Sequence, residues 1–253
     1  MGKIRSLITA LFILCFFNIS FAQNCCMEVL GGSRISFGYG VRSYGAEGFN
    51  NYINVYNQNR PQLNKKMDKF GMGMGFHGAI DFNYLVDPYD YTYMSFGFQY
   101  EQVNESHEAS AVFNGGIATR EYALSFTALS MNMSVSLPMA RYMDWTVLGG
   151  SLALYSATLE NNYNEPGISK TEKLSSESTF GGEIYSGVRL YLFTNFVSIE
   201  TLIGFSFVSI PTLNFENGNS LSRTENDGTE MDNFMSGGFY GKMHLSIGIP
   251  NMY

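Results

Sequence analysis

Ten ionisable residues fall on the small, polar side of alternating segments: Arg34, Arg42, His77, Asp81, Glu101, Glu183, Arg189, Glu200, Lys242 and His244. The four permanent cations and four carboxylates balance, and two imidazoles stand among them. Such a set, enclosed together, can pair its ions, conduct protons or ions through a gated path, or act as a catalytic cluster. Pairing into a structural polar plug is the expectation, because an unpaired buried charge costs several kcal/mol. Signatures of catalysis are weak. His107 is flanked by Ser106 and Glu108, but triad partners converge in space and are not recognised as chain neighbours. There is no Gly-x-Ser-x-Gly and no His-Glu-x-x-His. Asn226-Asp227-Gly228, in an acidic stretch, reads as a turn more than as a calcium loop. The sequence therefore points to a protein that is not an enzyme and implies no cofactor or metal.

The elements that must position these residues follow from composition and pattern. Of 253 residues only 15% are charged, well below the roughly 25% of an ordinary soluble domain. Gly 27, Tyr 17 and Phe 21 run high while Pro is 6, and mean hydropathy is −0.05. That excludes a disordered chain and a bundle of membrane helices, and leaves an aromatic, glycine-rich β protein. The acidic balance repels nucleic acid, and no nucleic-acid partner is expected. Lys3 and Arg5 precede a short apolar run, Leu7 to Phe17, and Ser20-Phe21-Ala22 offers small residues for cleavage. Residues 1–22 therefore read as a secretory signal. Losing Lys3 and Arg5 takes the net charge from −7 to −9. Of the three cysteines, Cys15 leaves with the signal, and the adjacent pair Cys25-Cys26 cannot staple a fold. Residues 23–32 form an N-terminal segment and residues 33–253 the folded unit.

Eight segments alternate with period two, at about 33–45, 69–84, 91–103, 120–138, 145–160, 179–193, 196–213 and 234–250. In the second, Phe70, Met72, Met74, Phe76, Ile80, Phe82 and Tyr84 oppose Gly71, Gly73, Gly75, His77, Ala79, Asp81 and Asn83. The third, sixth and eighth repeat the pattern. The fourth changes step, with Tyr122, Leu124 and Phe126 on one parity and Leu129, Met131, Met133, Val135 and Leu137 on the other. That predicts a β-bulge or register change near Ala128. Connections alternate between long, roughly 16 to 23 residues, and short, roughly 2 to 6, which is the plan of an up-and-down transmembrane barrel. The polar side is mostly Gly, Ser, Ala and Asn. A solvated wall would carry several Lys and Glu per strand, so this side is assigned to a crowded lumen and the apolar side to lipid. Tyr84, Tyr100 and Tyr122 are placed near strand ends as interfacial aromatics.

Register names one ion pair. A two-residue turn at Thr194-Asn195 sets Phe193 opposite Phe196 and Arg189 opposite Glu200. In the first long connection Phe49, Tyr52, Ile53 and Tyr56 recur at helical spacing before Pro61, predicting a short amphipathic helix. Its apolar stripe is either a lid on the barrel mouth or a contact for lipid or another outer-membrane protein.

With its signal segment, eight alternating segments and a last strand running Phe239 to Tyr253, in which Pro250-Asn251 interrupts the alternation, the sequence resembles the small eight-stranded outer-membrane barrels of the OmpA transmembrane-domain and OmpX type, including PorT-like barrels. The resemblance implies an all-β, antiparallel, eight-stranded barrel in the outer membrane of a Gram-negative cell. Both termini would be periplasmic and the long loops extracellular, with no periplasmic domain following. It implies as partners the lipid of that membrane, the outer-membrane insertion machinery, and another outer-membrane or secretion-complex protein. An eight-stranded bore is just wide enough to be filled by side chains. The leading expectation is a structural, adhesive or accessory subunit acting through its loops and wall. A narrow, porin-like channel comes second and a lipid-modifying enzyme third.

Overall fold

The computed structural model describes residues 33–87, 92–113, 115–193, 196–215 and 234–248. The signal segment, Cys25-Cys26, the turn residues Thr194 and Asn195, the acidic stretch around Asn226 and the chain end beyond Gly248 lie outside these residues. Eight strands close into a ring: β1 (Arg34–Ser43), β2 (Met72–Asp87), β3 (Thr92–Phe113), β4 (Gly116–Ala140), β5 (Met143–Glu165), β7 (Thr179–Phe193), β8 (Val197–Phe207) and β12 (Phe239–Gly248). All pairings are antiparallel, and β1 closes the ring on β12. The shorter pieces β6 (Ile168–Ser175), β9 (Ser209–Ile210), β10 (Asn214–Phe215) and β11 (Met235–Ser236) belong to the long-connection end, as does the helix α1 (Glu47–Gln58).

The outer wall is apolar where the ring is complete. Phe37, Met74, Phe98, Met133, Leu152, Ile184 and Met243, each on a different strand, are all exposed. A continuous apolar surface of this extent does not persist in water, where contiguous patches seldom exceed a few hundred Å². The wall faces lipid. Tyr142, Trp145 and Phe196 are exposed toward the short-turn end, where amphipathic rings suit the interface.

Three strands run far beyond the apolar belt. β3, β4 and β5 have 22, 25 and 23 residues, about twice what a tilted strand needs to cross a bilayer. Two connections expected as loops are therefore strand. The β3–β4 ladder continues without a register shift to Phe113 opposite Gly116. The upper half of β5 pairs with β6, while its lower half pairs with β7. The result is a projecting sheet, β3-β4-β5-β6, with β10 on the far side of β6. Its β3 edge is partly covered by the chain after α1, where Lys65 exchanges backbone hydrogen bonds with Ser110.

The expected bulge near Ala128 is absent, and its cause is a change of environment. Tyr100, Leu129 and Leu154 are ladder neighbours facing outward, and one outward row further up the neighbours are Gln102, Thr127 and Ser156. On the inner face, Gln99, Ser130 and Ala153 give way to Val103, Phe126 and Ala157. Both faces exchange polarity at one height, so the strands leave lipid there and enclose an ordinary apolar core. The register irregularities of this region lie lower, between Val135 and Ser136 on β4 and between Thr146 and Gly149 on β5.

That core roofs the barrel. Phe49, Tyr52, Ile53 and Tyr56 of α1 are buried with Phe70, Tyr122, Leu124, Leu159 and Phe234. Phe49 packs its ring against Phe70, Tyr122 and Phe234 at 5.0, 5.5 and 5.2 Å. The stripe is a lid, and its four apolar side chains are spent inside the protein instead of on a partner. Tyr122 and Phe70 point inward into this core, not outward to lipid, because they stand above the polarity boundary. Two asparagines of α1 fix the chain that returns from the lid to β2. Asn50 exchanges hydrogen bonds with the backbone of Phe70 at 2.7 Å each way. Asn57 does the same with Met67 at 2.9 and 3.0 Å.

Candidate functional site

All ten ionisable residues face the lumen, none more than 7% exposed. Six of the barrel's inward positions lie on one ladder row. Glu101 pairs with His77, His77 with Gly38, Gly38 with His244, His244 with Glu200, and Glu200 with Arg189. Continued both ways, the row begins at Tyr155 on β5 and returns to β5 at Asp144. This slip along the strand is the shear that tilts the strands of a closed barrel. It turns one row into a spiral that climbs the lumen from one ion cluster to another.

The upper cluster holds two cations and two acids. Arg42 Nη2 lies 2.6 Å from Glu101 and also bridges to Glu183. Lys242 Nζ lies 2.9 Å from Glu101 and 3.3 Å from Glu183. Tyr155 donates to Glu183 at 3.0 Å. The Tyr240 ring faces both cations, 4.7 Å from the Arg42 guanidinium and 4.3 Å from the Lys242 ammonium. Each charge is thus met from several directions, the condition under which buried ions are tolerated.

The lower cluster is built on Arg189, which bonds Glu200 at 2.7 Å and Tyr93 Oη at 2.6 Å. Arg189 and Glu200 are ladder partners, yet Phe193 pairs with Val197 instead of Phe196. A register shift between Tyr191 and Phe193 offsets that one-residue difference, so the count back to Glu200 comes out the same. Tyr93 and Tyr191 both donate to Asp144. Beside them Arg34 meets Asp81 at 3.5 Å and donates to Asn83 and Ser95 at 3.1 Å.

Between the clusters His77 and His244 lean together over Gly38, ring centroids 4.2 Å apart, and neither ring bonds the protein through its nitrogens. A side chain at residue 38 would overlap the His77 ring and the Met243 carbonyl, so glycine is what lets the two imidazoles occupy this layer. One cavity in the lower lumen, bounded by Arg34, Asp81, Arg189, Glu200 and His244, is about 20 Å³. That is room for about one water molecule.

The pattern of permanent charges in the sequence left out several members of the network. Asp144 stands just before the expected fifth segment, whose facing is blurred by the irregularity between Thr146 and Gly149. The phenols Tyr93, Tyr155, Tyr191 and Tyr240 are neutral and so invisible to charge counting. At the lid, Glu105 accepts from Tyr44 Oη and from the backbone of Gly71 and Met72, and lies 2.8 Å from His107. Burial, then the Glu105 carboxylate, push the Tyr44 phenol up, which keeps it a donor. Ser106 and Glu108 alternate with His107 along β3 and so face away from it. Among the described residues no three His, Cys, Asp or Glu converge as metal ligands would.

A closed ladder, a lipid-facing wall and a filled lumen define a transmembrane β-barrel of eight strands. The sequence matches no protein-family model and no curated protein. Among solved structures the chain is similar to Neisserial surface protein A, NspA, with 12% identity and a TM-score of 0.40, over 87% of this chain and 97% of that one. It is likewise similar to Ail, the attachment invasion locus protein of Yersinia pestis, with 13% identity and a TM-score of 0.37, over 85% and 95% of the two chains.

Proposed function

We propose that the chain is an integral outer-membrane protein whose lumen is a structural plug and whose work is done beyond the bilayer, as a structural, adhesive or accessory subunit. The observation that carries this reading is the sealing of the barrel twice over, by the two buried ion clusters that cross its lumen and by the apolar roof that α1 completes. A filled bore disfavours transport, and the separation of His107 from Ser106 and Glu108 disfavours hydrolysis. What the fold presents instead is the projecting β3-β4-β5-β6 sheet, stiff and held clear of lipid. In this reading the short turns are periplasmic and the sheet is extracellular.

Cell fractionation followed by protease treatment of intact cells tests it. The protein is expected in the outer-membrane fraction, with cleavage on the side of the long connections, including the 113–116 and 165–168 hairpin tips, and none at the short turns. Recovery in the inner membrane, or cleavage only after the outer membrane is broken, contradicts it. Cross-linking from cysteines placed at those tips, followed by detergent extraction, then identifies the partner.

A further inference from the structure

The apolar outer wall ends and then begins again at the far end of the projecting sheet. On the outward face of β3, Phe96, Phe98 and Tyr100 belong to the lipid belt, and Gln102, Asn104, Ser106 and Glu108 stand in water. Val112, further along the same face, is apolar once more and 60% exposed. Its ladder partner Ile117 is 62% exposed. Phe113, on the other face of the hairpin, is 52% exposed, and Ile168 at the start of β6 is 55% exposed. Pro166 packs so closely on Gly116 that a β-carbon there would lie 2.7 Å from its ring. That contact joins the ends of the β3–β4 and β5–β6 hairpins into one edge.

This edge is held stiffly. The β3–β4 ladder runs unbroken from Tyr93 to Phe113, and Val112 N donates to Asn64 Oδ1 at 2.9 Å. Val112 and Ile117 project from one face and Phe113 from the other, so the apolar surface is a wedge and not a flat patch. Four large apolar residues of roughly 150–200 Å² each, a little more than half exposed, offer on the order of 400 Å². A stable protein interface takes about 800 Å² from each partner. The wedge is therefore too small to hold a second protein, whereas a bilayer accepts protruding apolar side chains without a matching shape. An anionic surface is disfavoured. Glu108 and Glu121 are ladder partners two outward rows below the tip, Lys65 answers one of them at 3.7 Å, and the chain carries 22 acids against 15 bases.

We propose that this edge inserts into a facing bilayer of neutral, zwitterionic lipid. The inference deepens the proposed function and rests on its placement of the sheet outside the cell. The bilayer is not the protein's own. Val112 stands about twelve residues beyond Tyr100, which is roughly 40 Å of strand and on the order of 30 Å along the axis of a tilted barrel. Headgroups extend only about 5 to 8 Å beyond the hydrocarbon. One wedge holds weakly, and many copies in one membrane hold together through multivalency.

The test exploits Trp145, the chain's one tryptophan, which lies on the wall toward the short turns. The full protein, in nanodiscs of phosphatidylcholine, is mixed with vesicles of brominated phosphatidylcholine, which quenches indole on contact. In a variant carrying Trp145→Phe and Phe113→Trp, emission is expected to shift to the blue and to be quenched. Wild-type Trp145 is expected to stay bright, because it meets only nanodisc lipid. Adding Val112→Ser and Ile117→Ser to the reporter lowers its partitioning at least tenfold, since each buried CH₂ contributes about fourfold. Both positions are exposed, so these substitutions leave the fold intact. Replacing part of the vesicle lipid with phosphatidylglycerol weakens binding several-fold at low salt. Absence of quenching at position 113, quenching that the serines leave unchanged, or stronger binding to the anionic vesicles overturns the proposal. Quenching of Trp145 to the same extent also overturns it, by placing the edge in the protein's own bilayer. A doubled nanodisc mass in sedimentation, abolished by the serines and without lipid quenching, overturns it by assigning the edge to a second copy. A mistaken location in the cell appears in the fractionation and leaves this measurement untouched.

Discussion

Arg42 and Glu183 meet across the lumen although 141 residues separate them in the chain. The same guanidinium holds Glu101 on β3, so three strands are tied at one point by two acids and one base, with Lys242 completing the charge balance. Glu183→Gln leaves two cations facing one carboxylate in a closed space. The expected loss is about 3–5 kcal/mol, whereas Arg42→Met with Glu183→Met recovers most of it, since a broken pair costs more than an absent one. Urea unfolding in lipid vesicles measures both. A Glu183→Gln loss below about 1 kcal/mol, the scale of a surface pair, contradicts the assignment.

The polarity boundary between the Leu129 and Thr127 rows makes a positional prediction. Met133→Arg puts a charge into the lipid belt and should cost about 2–4 kcal/mol, while Thr127→Arg, above the boundary, should cost about 0–1 kcal/mol. The same unfolding measurement checks it. Equal costs at the two positions would place the boundary elsewhere.

The lid and the barrel are expected to separate energetically. Phe49 is fully buried in the roof, and Phe49→Ala removes contacts with four rings, a change worth about 3–5 kcal/mol. Limited trypsin digestion should then cut at Lys65 and Lys66 much faster, while the barrel keeps its resistance to unfolding in dodecyl sulfate. Loss of barrel resistance together with lid cleavage would mean that the roof and the ring form one cooperative unit.

Much of this was legible in the chain. Sustained alternation placed the strands, and scarcity of charge on the polar side turned that side inward. The pairing of Arg189 with Glu200 followed from counting back from a turn, although two one-residue displacements cancel to preserve it. Alternation misled where the surroundings change along a strand. Tyr122 to Leu137 on β4 keeps one register throughout its pairing with β3, but crosses from water-facing to lipid-facing polarity, and period two alone cannot distinguish that from a bulge. The hairpins of β3–β4 and β5–β6 were missed for a related reason. Their outward residues, such as Asn104, Ser106, Glu108 and Glu160, are polar because they stand in water, and in the sequence such polarity reads as loop.

Conductance in planar bilayers tests the sealed barrel most directly. The wild-type protein, inserted in a neutral bilayer, is predicted to show no discrete conductance steps, because two ion clusters and an apolar roof fill its bore. Reproducible open-state steps, shifted in size when Arg189 or Glu200 is neutralised, would show that ions pass between these side chains and would contradict the account.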